Sequence, residues 1–70
     1  MLTLAEIADA RDQLRQAENI MAGLRARFLS SAFTLGGRVA LDLIGLIGDI
    51  IRALDTLEQK QRSAAGQGQP

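Results

Sequence analysis

The side chains that most often do chemistry near neutral pH, His, Cys and Tyr, do not occur in this 70-residue sequence. Their absence removes the usual general bases, nucleophiles and zinc ligands. What remains for chemistry is a pair of carboxylates, a set of arginines and two pairs of glycines. Asp42 and Asp49 stand seven positions apart, which on one helix separates them by about 10 Å along the axis. Two carboxylates can act as acid and base in hydrolysis. Here Arg38 and Arg52 flank them on the same polar side, and a solvated, charge-compensated helix face accounts for all four. No catalytic, cofactor or metal site is expected, and the chain reads as a non-enzyme.

Arg11, Arg15 and Arg25 project from a common side of the first helical stretch, an arrangement comparable to small dimeric hairpins that bind RNA through helix faces. Asp12, Gln13 and Glu18 are interleaved with them, and eight basic residues balance eight acidic ones across the chain. Without a basic excess or an exposed aromatic residue for stacking, nucleic acid is not the expected partner. Gly36-Gly37 is no phosphate loop, because no strand precedes it and no Gly-Lys-Ser/Thr follows. Gly45 and Gly48 lie in the most apolar stretch, where each costs about 1 kcal/mol relative to Ala. Either another helix needs the room they leave, or a well-packed helix tolerates them.

The elements that carry these residues are helices. Thr3-Leu4-Ala5-Glu6 has the form of a capping box, so the first helix is expected over about 3–29. Its apolar residues Ile7, Ala10, Leu14, Ala17, Met21, Leu24 and Phe28 alternate steps of three and four, a heptad-like seam. Ser30-Ser31, Thr34 and Gly36-Gly37 disturb the register, which places a turn at about 30–37. Two versions are open: a short break at 30–33 with Ser31 or Thr34 capping the next helix, or a helix running to Leu35 and turning at the glycine pair.

The second helix is expected over about 34–61. Its apolar set, including Val39, Leu43, Ile44, Leu46, Ile47, Ile50, Ile51 and Leu54, covers an arc of roughly 160° at 100° per residue. Residues 63–70 have nothing to bury and are expected to be a disordered tail. Two helices of about 27 residues, each roughly 40 Å long, suit an antiparallel hairpin over 1–62. The second helix offers a wider apolar arc than the first can cover, so part of it, drawn from Ile44, Ile47, Ile51 and Leu41, would stay wet in a monomer. The expected remedy is a homodimer that closes a four-helix bundle. A chain this small with no Cys has no other staple.

The interface residues expected on this reasoning are Leu43, Ile44, Ile47, Ile50, Ile51 and Leu54 of the second helix, with Leu14, Met21, Leu24 and Phe28 of the first. They divide between self-association and contact with a larger protein that the dimer modulates, by inhibition in the leading expectation. Small size, arginine richness and the missing catalytic set fit a regulator encoded by a phage or another mobile element. Residues 1–29 lack the basic start and unbroken apolar run of a signal peptide, so a cytoplasmic location is expected.

Two alternatives stand beside this reading: a structural subunit of a larger assembly, which would use the same features, and a helix that lies on membranes. The segment Leu41-Asp42-Leu43-Ile44-Gly45-Leu46-Ile47-Gly48-Asp49-Ile50-Ile51-Arg52-Ala53-Leu54 resembles short membrane-active amphipathic peptides of the delta-haemolysin kind. The resemblance implies a helix lying on a membrane surface. It covers one segment only, which lacks the lysine-rich end of those peptides and follows a long polar helix. A spanning helix is disfavoured, because Arg38, Asp42, Asp49 and Arg52 interrupt every window of about 20 residues.

Overall fold

The computed structural model describes residues 2–67, and for 65–67 the backbone alone. Helix α1 (Leu4–Ser30) and helix α2 (Thr34–Gln67) pack antiparallel, with no strand among the described residues. The chain is an all-α helical hairpin with principal extents of 61 × 15 × 15 Å, one layer of helices thick.

The start of α1 follows from its capping box. The Glu6 N–H donates to Thr3 Oγ1 at 3.1 Å and the Thr3 N–H donates to Glu6 Oε1 at 3.0 Å, so two of the helix's free donors find acceptors. The bond from the Thr3 N–H, and after it the nearby Thr3 hydroxyl, hold the Glu6 carboxyl below the ordinary carboxylate range.

The end of α1 resolves the two turn alternatives in favour of the short break. Phe33 N–H donates to the Phe28 carbonyl at 2.7 Å and Ala32 N–H to the Leu29 carbonyl at 3.1 Å, the two crossed bonds of a Schellman motif around the C-cap Ser31. The apolar contact that accompanies this motif is present too: the Phe28 and Phe33 rings meet edge to face with centroids 5.2 Å apart. The left-handed position falls to Ala32, with φ 61°, where glycine would ordinarily stand. The first bond of α2 runs from Gly37 N–H to the Phe33 carbonyl, which puts the N-cap at Phe33 and not at Ser31 or Thr34.

Gly36 and Gly37 therefore lie in the first turn of α2 and serve packing. A Cβ on Gly36 would stand 2.6 Å from the Phe33 ring, and one on Gly37 2.6 Å from a Leu29 methyl. Gly45, by contrast, has nothing within 4 Å of its would-be Cβ, and at Gly48 the nearest atom, Arg52 Nη1, is an ordinary 3.8 Å away. Of the two readings left open for Gly45 and Gly48, close approach is not made within the hairpin, which has its tight glycine contacts at Gly36 and Gly37.

The expected end of the second helix near 61 and the tail from 63 need correction. Helix α2 runs on to Gln67, because Ser63, Ala64 and Ala65 contain no helix stop and Ala has the highest helix propensity. Residues 68–70 of the expected tail lie outside the described residues.

Candidate interaction surface

The inner faces of the two helices use little of the apolar surface. Among the described residues Ile7, Ala40, Ile51 and Leu54 form the core, and only Ile7 of the large side chains is fully buried. Polar bonds then fix the open end of the hairpin. Arg11 reaches across from α1 to Asp55 Oδ1 at 2.7 Å and Glu58 Oε2 at 3.1 Å, and its side chain is only 23% exposed. The hydrogen bond to Asp55, followed by that to Glu58, holds the guanidinium still more firmly protonated. Beyond this fork, Gln61 Nε2 donates to the Leu2 carbonyl at 2.6 Å, and Glu58 also meets Arg62 at 3.7 Å. Because Arg11 is spent on this internal fork, the arginine face considered for nucleic acid is broken up.

Roughly 100° round α2 from its buried line lies a second apolar line: Leu35, Val39, Leu43, Leu46 and Ile50, all exposed. Their steps of four, four, three and four keep them on one face of the helix. Near the turn this line borders an open apolar groove of about 360 Å³, walled by Met21, Leu24 and Phe28 of α1 and by Leu35, Val39 and Leu43 of α2. Ile20, four residues before Leu24 and so on the same side of α1, is also exposed. Farther along α2 the line continues through Leu46 and Ile50, 58% and 49% exposed.

The opposite side of α2 is of another kind. It holds a shallow depression of about 680 Å³ lined by Leu41, Ile44, Gly45 and Gly48 together with Glu18, Asp42, Asp49 and Arg52, and bordered by Leu46 of the apolar line. Asp49 is bonded to Arg52, as a charge-compensated polar face requires. Among the described residues no group of three His, Cys, Asp or Glu side chains is placed to hold a metal ion, and no helix is long and apolar enough to cross a membrane.

The expected interface residues divide three ways. Leu43 and Ile50 are exposed on the second line. Leu14, Met21, Leu24, Phe28, Ile44 and Ile47 are half-buried along the helix contact. Ile51 and Leu54 are buried between α1 and α2, which corrects their placement on a shared surface: they lie on the same side of α2 as Asp55 and Glu58, the side that Arg11 of α1 meets. Leu35, Val39 and Leu46 were not among the expected residues, although the step pattern that joins them to Leu43 and Ile50 is present in the sequence. No protein-family model, curated protein or solved structure matches the chain.

Proposed function

We infer that this hairpin is a small non-enzymatic interaction protein that works as a homodimer and binds and inhibits a larger protein in the cytoplasm. The observation that carries the reading is the exposed line Leu35, Val39, Leu43, Leu46 and Ile50 beside the apolar groove. A soluble monomer rarely leaves a continuous apolar strip of this length uncovered, and such strips mark association surfaces. The core is correspondingly small, so covering the strip contributes to the fold as well as to recognition.

Light scattering after size exclusion, with circular dichroism over a dilution series, tests the reading. A helical particle of twice the 7.5 kDa chain mass, melting earlier on dilution, supports it. A target retained by the wild-type chain as bait, and whose activity falls when the hairpin is added, supports the inhibitory role. A monomer whose helicity rises on anionic vesicles would replace this reading with that of a membrane-surface helix, since the same apolar line suits an interfacial helix.

A further inference from the structure

We propose that the turn is a hinge: opened, it joins α1 and α2 into one helix whose unbroken apolar stripe pairs antiparallel with a second copy, α1 of each chain lying on the exposed line of α2 of the other. This deepens the homodimer reading above and rests on it.

The relative phase of the two helices carries the proposal. Leu35, Val39, Leu43, Leu46 and Ile50 are exposed in the hairpin. On one continuous helix, at about 100° per residue, they fall in the same arc of about 100° as the α1 seam from Ile7 to Phe28. Ala32 lies on that arc between the two sets, and Ala53 and Leu57 extend it. Between 7 and 57 the arc admits only Arg25 and Asp42 as polar residues, both at its edges. In the hairpin the α1 seam meets the other line of α2 instead, that of Ala40, Ile51 and Leu54. Helix α2 thus carries two apolar lines with one use each: the first faces α1 when the chain is folded back, and the second continues the α1 seam when the chain is straight.

The turn accommodates both forms. Among the described residues Ala32 is the one non-glycine residue with positive φ, and it relaxes on entering a helix. The N-cap of α2 falls to Phe33, which has no side-chain acceptor, and the first turn of α2 holds no acidic residue. A continuous helix supplies carbonyl partners for the N–H groups that start α2 uncapped. Short connections under strain favour exchange of elements between copies. Gly36 and Gly37 permit the closed form by clearing Phe33 and Leu29, and because both are already helical they add no new cost on opening. Burial alone does not choose between the forms: opening uncovers Ile51 and Leu54 and breaks the Arg11 fork, and it covers the second line in return. The two-fold axis crosses the stripe at Ala32, midway between Ile7 and Leu57, so α1 meets α2 at nearly the levels it does in the hairpin, now between chains. Protein concentration therefore sets the form, closed as a monomer and open as a pair.

Because the chain has no cysteine, dyes attached through Asp9→Cys and Lys60→Cys, both exposed positions, read the form by energy transfer. The two positions are neighbours across the open end of the hairpin and about 75 Å apart on a continuous helix at about 1.5 Å per residue. A trace of doubly labelled chain in an excess of unlabelled chain is expected to lose transfer as light scattering reports the dimer. Mixed chains labelled singly, one at each position, are expected to gain it. A β-branched residue is barred from the left-handed region more strongly than Ala, so Ala32→Val is expected to lower the dimer Kd at least ~10-fold and Ala32→Gly to raise it by at least as much. A dimer by mass that keeps full transfer within the chain, or whose Kd is unchanged or lowered by Ala32→Gly, overturns the hinge while leaving the homodimer reading intact. Transfer lost within chains and not gained between them overturns the antiparallel pairing. A chain that stays monomeric by mass with full transfer at every concentration overturns both the hinge and the homodimer.

Discussion

The two halves of the hairpin close their helix contact by different means. At the open end Ile7 is fully buried, the Arg11 fork is satisfied by Asp55 and Glu58, and Gln61 ties α2 to Leu2, just ahead of α1. At the turn end the same two helices are joined by a Schellman turn and an aromatic pair, yet the apolar walls beyond them stand open to water. Polar bonds between specific partners fix register and rotation, while apolar surface without a partner fixes only that something must cover it. The open half therefore defines the hairpin, and the turn half leaves apolar surface uncovered.

The largest effect that would break this contrast lies at the open end. Ile7→Ala removes a large, fully buried side chain and is expected to cost about 2–4 kcal/mol, read from urea denaturation at fixed protein concentration. A loss below about 1 kcal/mol would mean that this half is not the part that holds the helices together.

The glycines give a paired test of nearly the same size. Gly36→Ala forces a methyl against the Phe33 ring and is expected to destabilise by about 1–3 kcal/mol, as overpacking does. Gly45→Ala meets open space and is expected to stabilise by about 1 kcal/mol through helix propensity. Thermal melts of the two variants side by side check both signs. A Gly45→Ala variant that is less stable than the parent would place another helix over that position in the assembled protein.

The turn supplies a smaller effect of opposite direction. Ala32 holds a left-handed conformation that costs an L-residue roughly 1–2 kcal/mol, so Ala32→Gly is expected to stabilise by about 1 kcal/mol after the added flexibility of glycine in the unfolded chain is subtracted. An unchanged or lower melting temperature would count against the Schellman geometry.

These sites also show what the sequence could and could not reveal. The helix content, the cap at Thr3 and the hairpin were legible, because capping boxes and three-four periodicity are local signals. The turn was ambiguous because the left-handed position carries Ala, while the residues that usually announce it, Gly36 and Gly37, stand four and five positions later and serve packing instead. The five-residue spacing of Phe28 and Phe33 was the available signal for the Schellman contact. The inward face of α2 was not legible. Its apolar arc contains two candidate lines, and the inward one is marked by contacts such as those of Arg11 with residues more than forty positions away, a relation that periodicity does not record. Ile51 and Leu54 were misplaced for that reason, and Leu35, Val39 and Leu46 were missed.

The smallest expected effect tests whether the two halves respond separately. Thr3 holds the Glu6 carboxyl below its ordinary value of 4.5, so ionised Glu6 is favoured by folding. A carboxyl depressed in this way stabilises the folded chain above its unfolded pKa, and that contribution is lost as the pH falls through the folded value. Acidification through and below about pH 4.5 should therefore shift the Thr3 amide resonance and fray the first turn of α1. Glu6→Gln keeps a side-chain acceptor for the Thr3 N–H and should abolish this component of the titration, leaving the cap in place at neutral pH. The Phe28 and Phe33 ring signals, at the far end of a 27-residue helix, should not follow the Thr3 amide. If they titrate with it, the cap and the turn belong to one cooperative unit, and the division of labour between the two ends fails.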